Sequence, residues 1–85
     1  MHFHIRVENE DTGKVFTLCI DRLTSTCRIL GFSDLAELRN LEDIAAGLGS
    51  QFISAIATPQ QVKEFESVGY KAEPKLTVMT KGLKT

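Results

Sequence analysis

Neither sign of charge prevails in this chain: ten Lys and Arg stand against eleven Asp and Glu, a formal net charge of −1. A protein so balanced has no global field to draw in nucleic acid or an anionic membrane surface. No apolar run approaches the roughly 20 residues that span a bilayer. The opening MHFHIRVENE alternates polar and apolar residues, unlike a signal peptide. Nucleic acid and membrane are therefore not expected as partners, and a cytoplasmic location is expected. Cysteine is scarce. Cys19 and Cys27 form no C-x-x-C pair and are too few for a disulfide framework. Two reduced thiols are expected, at least one of them in the core. Repeats, low-complexity tracts and interdomain linkers are missing, so the 85 residues read as one domain, 1–85, with a thin core.

What is present is alternation, first with period two and then with period three to four. Phe3, Ile5 and Val7 alternate with His2, His4, Arg6 and Glu8, which predicts a strand with one wet face. NEDTGK supplies a turn, and VFTLCI, Val15 to Ile20, is apolar on both sides, as an interior strand would be. The two runs read as an antiparallel hairpin. DRLTSTCRILGF has no clean period and reads as a connection. A helix is expected from Ser33 or Asp34, since Asp34 and Glu37 have capping-box spacing. Leu35, Leu38, Leu41, Ala45 and Leu48 would form its buried stripe, with Gly47 and Gly49 at its end. QFISAIAT reads as a strand. In TPQQ, Thr58 suits a cap, Pro59 the first helical position, and Gln61 the return bond of the box. Val62, Phe65 and Val68 give the second helix its stripe, and Gly69 its exit. EPK then breaks the chain before a last strand, LTVMT. The class predicted is α/β (α+β), a mixed sheet of about four strands with two helices in the order ββαβαβ. Such a small sheet leaves an edge to be covered or paired. A homodimer or a protein partner is expected, through LTVMT rather than through the first strand.

The stretch RILGFSDLAEL, Arg28 to Leu38, carries the chemistry. A strand that enters a helix through a glycine turn can hold an anion on the free N–H groups of the first helical turn. An arginine nearby adds a planar donor fork. Arg28, Gly31 and Ser33 have that arrangement, and so does an ordinary turn beside a solvated arginine.

Arg28, Gly31 and Ser33 resemble the R/Q-x-x-G-x-G/A signature of the GNAT acyltransferase superfamily. IAAGLGSQFISAIAT resembles that family's signature helix and next strand, VKEFESVGYK its following helix, and LTVMTKGL its closing strand. The resemblance covers roughly Val15 to Leu83 and only the cofactor-binding half of the family's fold. It implies acetyl-CoA or CoA as ligand and no metal. Its pyrophosphate would lie at Arg28, Gly31 and Ser33, with backbone from Ile29, Leu30 and Phe32. The pantetheine would lie along Leu18, Cys19 and Ile20. Ser33 stands where the family has Gly or Ala. Phe65 stands where a tyrosine commonly protonates the departing thiolate, and a phenyl ring has no proton to give.

Other candidates are weighed against plainer roles. His2 and His4 share a strand face, but two ligands fall short of the usual zinc set. Cys27 precedes Arg28, and a cation lowers a thiol pKa, yet no positioned base is identifiable. Tyr70, the lone tyrosine, suits packing better than acid catalysis. Glu8, Glu10 and Asp11 cluster as a solvated turn. Lys71, Lys75, Lys81 and Lys84 lack the interleaved aromatics of a nucleic-acid surface. No catalytic set is assigned. The function expected is a non-catalytic protein-interaction or assembly module on a half-GNAT-like scaffold. Alternatives are a minimal acetyl-CoA-dependent N-acyltransferase and an unrelated small inhibitor or adaptor of a host protein.

Overall fold

Strand alternation sets the architecture. The computed structural model describes residues 2–72 and 78–83. The elements are β1 (His2–Glu8), β2 (Val15–Asp21), β3 (Thr26–Phe32), α1 (Leu35–Gly47), β4 (Phe52–Ile56), α2 (Val62–Ser67), β5 (Lys71–Ala72) and β6 (Val78–Gly82). The six strands form one sheet in the order β1-β2-β3-β4-β6-β5. Among the described residues only β3 and β4 pair in parallel. The mixed α+β class is as expected, but the strands number six rather than about four.

Two corrections account for the difference. The segment read as a connection contains β3, joined to β2 by a tight turn at Arg22–Ser25. Cys27 and Ile29 point into the core, while Arg28, Leu30 and Phe32 point away from it. Leu30 and Phe32 are apolar on the outer side, and this hides the period of two. The second addition is β5, described over Lys71–Ala72. The EPK break lies outside the described residues, as do Leu76 and Thr77 of the predicted last strand. That strand, described from Val78, lies between β4 and β5, so it is not an edge. The edges among the described residues are β1 and β5.

Both helices feed one core. Phe16, Leu18, Ile20, Cys27, Ile29, Ile53, Ala55 and Met79 of the sheet meet Leu38, Leu41 and Ala45 of α1 and Phe65 of α2. Each large apolar side chain buried this way contributes about 1.5–3 kcal/mol. The capping box predicted for α1 is present, with Asp34 at the N-cap and Glu37 three residues on. Leu48 departs from its predicted stripe and is 42% exposed, because the helix ends at Gly47. At TPQQ half of the predicted box forms. The Thr58 N–H donates to Gln61 Oε1 at 3.1 Å, but α2 itself starts at Val62. Tyr70 closes the core from the other end. Its hydroxyl donates to Glu42 Oε2 at 2.7 Å, and Lys81 Nζ donates to Glu42 Oε1 at 3.1 Å.

Candidate functional site on the uncovered sheet face

Because α1 and α2 both contribute to one core, the opposite face of the sheet carries no helix among the described residues. Strand register sets its side chains in rows. His4, Cys19, Arg28, Ser54 and Thr80 form one, and Arg6, Thr17 and Leu30 the next. Beyond these, Phe32 lies opposite Ile56.

The β3–β4 pairing is broken at this end. Arg28 pairs with Ser54 and Phe32 with Ile56, so three residues of β3 stand against Ala55 alone. Gly31, the last residue of the bulge before Phe32, has φ +101°, a conformation L side chains rarely adopt. A Cβ there would meet nothing within 4 Å, so the glycine serves the backbone rather than a tight contact. The bulge restores the phase of β3. Arg28, Leu30 and Phe32 thus share the uncovered face, with Leu30 41% and Phe32 59% exposed. Val15, 39% exposed, lies two residues from Thr17, the partner of Leu30. Ile56 is half-buried beside Phe32. The result is an apolar patch with Arg28 next to it.

The predicted anion cradle is divided by the fold. Arg28 lies three residues before Gly31, roughly 10 Å along a strand, and faces a shallow cavity at the other end of β3. That cavity, of about 310 Å³, is lined by His2, Cys19, Asp21, Thr24, Thr26 and Arg28. The N–H groups of Thr24 and Leu23 hold the Asp21 carboxyl below its ordinary range. Ile29 points into the core. Ser33 is 1% exposed, and its Oγ has no hydrogen-bond partner. Leu18 and Ile20 are buried, and Cys19 faces outward opposite Arg28. All three belong to β2, which pairs with β1 on one side and β3 on the other. The strand leading into the helix is β3, not β2.

The helix N-terminus carries its own acids. Asp34 Oδ1 accepts from the Glu37 N–H at 2.8 Å, and Glu37 Oε1 accepts from the Asp34 N–H at 2.8 Å. Lys14 Nζ adds a 3.1 Å ion pair to the same Glu37 oxygen. Two carboxylates thus occupy the positive end of the α1 dipole.

The remaining candidates take structural positions. Burial, with Cys19 a lesser influence, pushes the Cys27 thiol up to about 11. Burial and the bond to Glu42 raise the Tyr70 hydroxyl far above its ordinary value. Phe65 is fully buried, its ring 5.6 Å from that of Tyr70. His2 and His4 stack edge to face at 6.1 Å on the exposed side. Among the described residues no group of three or more His, Cys, Asp or Glu is placed to hold a metal ion, and no helix is long and apolar enough to cross a membrane. Lys81 is engaged by Glu42, and Lys71 is exposed. Lys75 and Lys84 lie outside the described residues. Sequence reasoning missed the outward row of Leu30 and Phe32. The signal was the two-residue spacing of Arg28, Leu30 and Phe32 against buried Cys27 and Ile29. The chain matches no protein-family model and no curated protein.

Proposed function

We propose that this chain is a non-catalytic protein-interaction module on a half-GNAT-like scaffold that docks its partner on the uncovered sheet face. The observation that carries this is the apolar patch of Leu30 and Phe32, held outward by the Gly31 bulge and flanked by Arg28. Sheets ordinarily bury an apolar face against a second layer. Exposed apolar clusters edged by polar groups mark interaction sites, and aromatic and arginine side chains supply much of the binding energy in interfaces. The fitting partner offers an apolar surface with acidic groups opposite Arg28. The strand–turn–helix order from β3 to β4 suits the GNAT resemblance. A reducing, cytoplasmic setting suits the free thiols of Cys19 and Cys27.

The test is a comparison of the tagged wild type with a Leu30→Thr, Phe32→Ser double variant. The expected result is a partner held by the wild type and lost by a variant of unchanged melting temperature. Equal recovery by both would refute the reading.

One observation favours a second reading, CoA binding. The β3–β4 register shifts between Arg28 and Phe32, at the turn where the resemblance places the pyrophosphate. The carboxylates of Asp34 and Glu37 oppose it, because they already occupy the helix end a phosphate would need. CoA at a hundredfold excess over its dissociation constant would stabilise the fold by roughly 2.7 kcal/mol. A melting temperature unmoved by millimolar CoA would remove this reading.

A further inference from the structure

The sheet has two unlike edges. β5 is described over Lys71–Ala72. β1 is seven residues long and pairs with β2 in unbroken register from His2 to Glu8. It holds no proline, no lysine and no bulge. Its outer backbone groups face no other strand among the described residues. The three side chains it sends to the helix face, Phe3, Ile5 and Val7, pack on the core yet stay only partly buried.

We propose that β1 pairs with β1 of a second copy, antiparallel, about a two-fold axis at Ile5. This goes beyond the docking of a partner on the uncovered face and stands independently of it. The choice of a second copy rests on self-complementarity, which a two-fold interface requires. With Ile5 on the axis, Phe3 faces Val7 of the other copy, and Ile5 faces Ile5. All the partly buried side chains then gain apolar neighbours. On the other face Glu8 lies opposite His2, at both ends of the seam. His4 lies opposite Arg6, both exposed to water.

Other registers are worse. Moving the axis to Arg6 sets Arg6 against Arg6 and leaves Phe3 unpaired. Moving it to His4 sets His4 against His4 and carries Val7 past the end of the other copy's β1. A one-residue slip would place apolar side chains opposite polar ones. In the favoured register the two six-stranded sheets join into one of twelve strands, with both helix layers on one side and both uncovered faces on the other.

The geometry gives a selective probe. Opposed residues in antiparallel strands have Cα atoms about 4.5–5.5 Å apart, within the roughly 4.4–6.8 Å that a disulfide spans. Phe3 of one copy would lie four residues of strand from Phe3 of the other, roughly 13 Å. The experiment uses the full chain with Cys19→Ser. Sedimentation of the otherwise native protein at tens of micromolar gives its oligomeric state. Mild oxidation is then applied to Ile5→Cys, to Phe3→Cys, and to Phe3→Cys with Val7→Cys. The expected result is a dimer, with near-complete disulfide linkage for Ile5→Cys and for the double variant, and none above background for Phe3→Cys alone. A monomer by sedimentation would overturn the proposal. So would a dimer in which Phe3→Cys links as readily as Ile5→Cys, or in which Ile5→Cys fails to link.

Discussion

Phe32 lies opposite Ile56 although four steps along β3 and only two along β4 separate that pair from Arg28 and Ser54. The mismatch keeps Phe32 in phase with Leu30 and Arg28, so one strand presents a cation and two large apolar groups on the same side. It also shifts the register of the one parallel strand pair among the described residues, shortly before the start of α1. The apolar patch and the shifted register meet at one bulge.

Gly31 sustains that bulge through its backbone conformation. Gly31→Ala is expected to lose about 1 kcal/mol or more, since the conformation is strained for any L side chain. For a domain of this size that is roughly 4–8 °C in melting temperature. An unchanged melting temperature would mean that the backbone there relaxes without cost.

The hairpin of β1 and β2, the capped α1 and the strand of β4 were legible because each carries a clean period or a cap. β3 was not, because period-two reading needs polar residues on the outer side, and Leu30 and Phe32 are apolar there. The position of the last strand was hidden for a different reason. Strand order follows from crossovers and packing, not from local pattern, so LTVMT read as an edge although β6 lies inside the sheet. The predicted site residues were adjacent in sequence, but strand alternation sends Ile29 to the core and Arg28 to the opposite face. The resemblance supplied a turn, and the turn's own carboxylates were visible only as a cap.

Ser33 tests the packing behind the turn. Its hydroxyl is buried and unpartnered, and such a group costs about 1–3 kcal/mol in desolvation. Ser33→Ala is expected to keep or raise the melting temperature. A clear loss of stability would show that the hydroxyl is satisfied in solution.

Cys27 sets a limit at high pH. Its thiol is raised from 9.0 to about 11 by burial, so the folded chain holds its proton where the unfolded chain releases it. That contribution is full below pH 9 and is lost as pH rises towards 11, at about 1.4 kcal/mol per pH unit. Denaturant melts between about pH 8.5 and 10 are expected to decline more steeply for the wild type than for Cys27→Ala, whose baseline is lower and whose remaining decline near pH 10 comes from Tyr70. Parallel slopes would contradict the assignment.

Phe65 separates packing from lost chemistry. The ring is fully buried, so Phe65→Tyr places a hydroxyl in the core at about 1–3 kcal/mol unless it finds a partner. The expected outcome is a lower melting temperature and no acetyl-CoA turnover. A stable variant that acetylates amines would support a vacated catalytic position instead.

The proposed function turns on docking at the face that bears Leu30 and Phe32. It is tested most directly by placing a photo-crosslinking phenylalanine at Phe32, and separately at Lys63 on the exposed side of α2, and irradiating the protein in its native cell. The expected result is one discrete adduct with a single partner protein from position 32, competed away by unlabelled wild type and absent from position 63. No adduct at position 32, or the same adducts from both positions, would contradict the account.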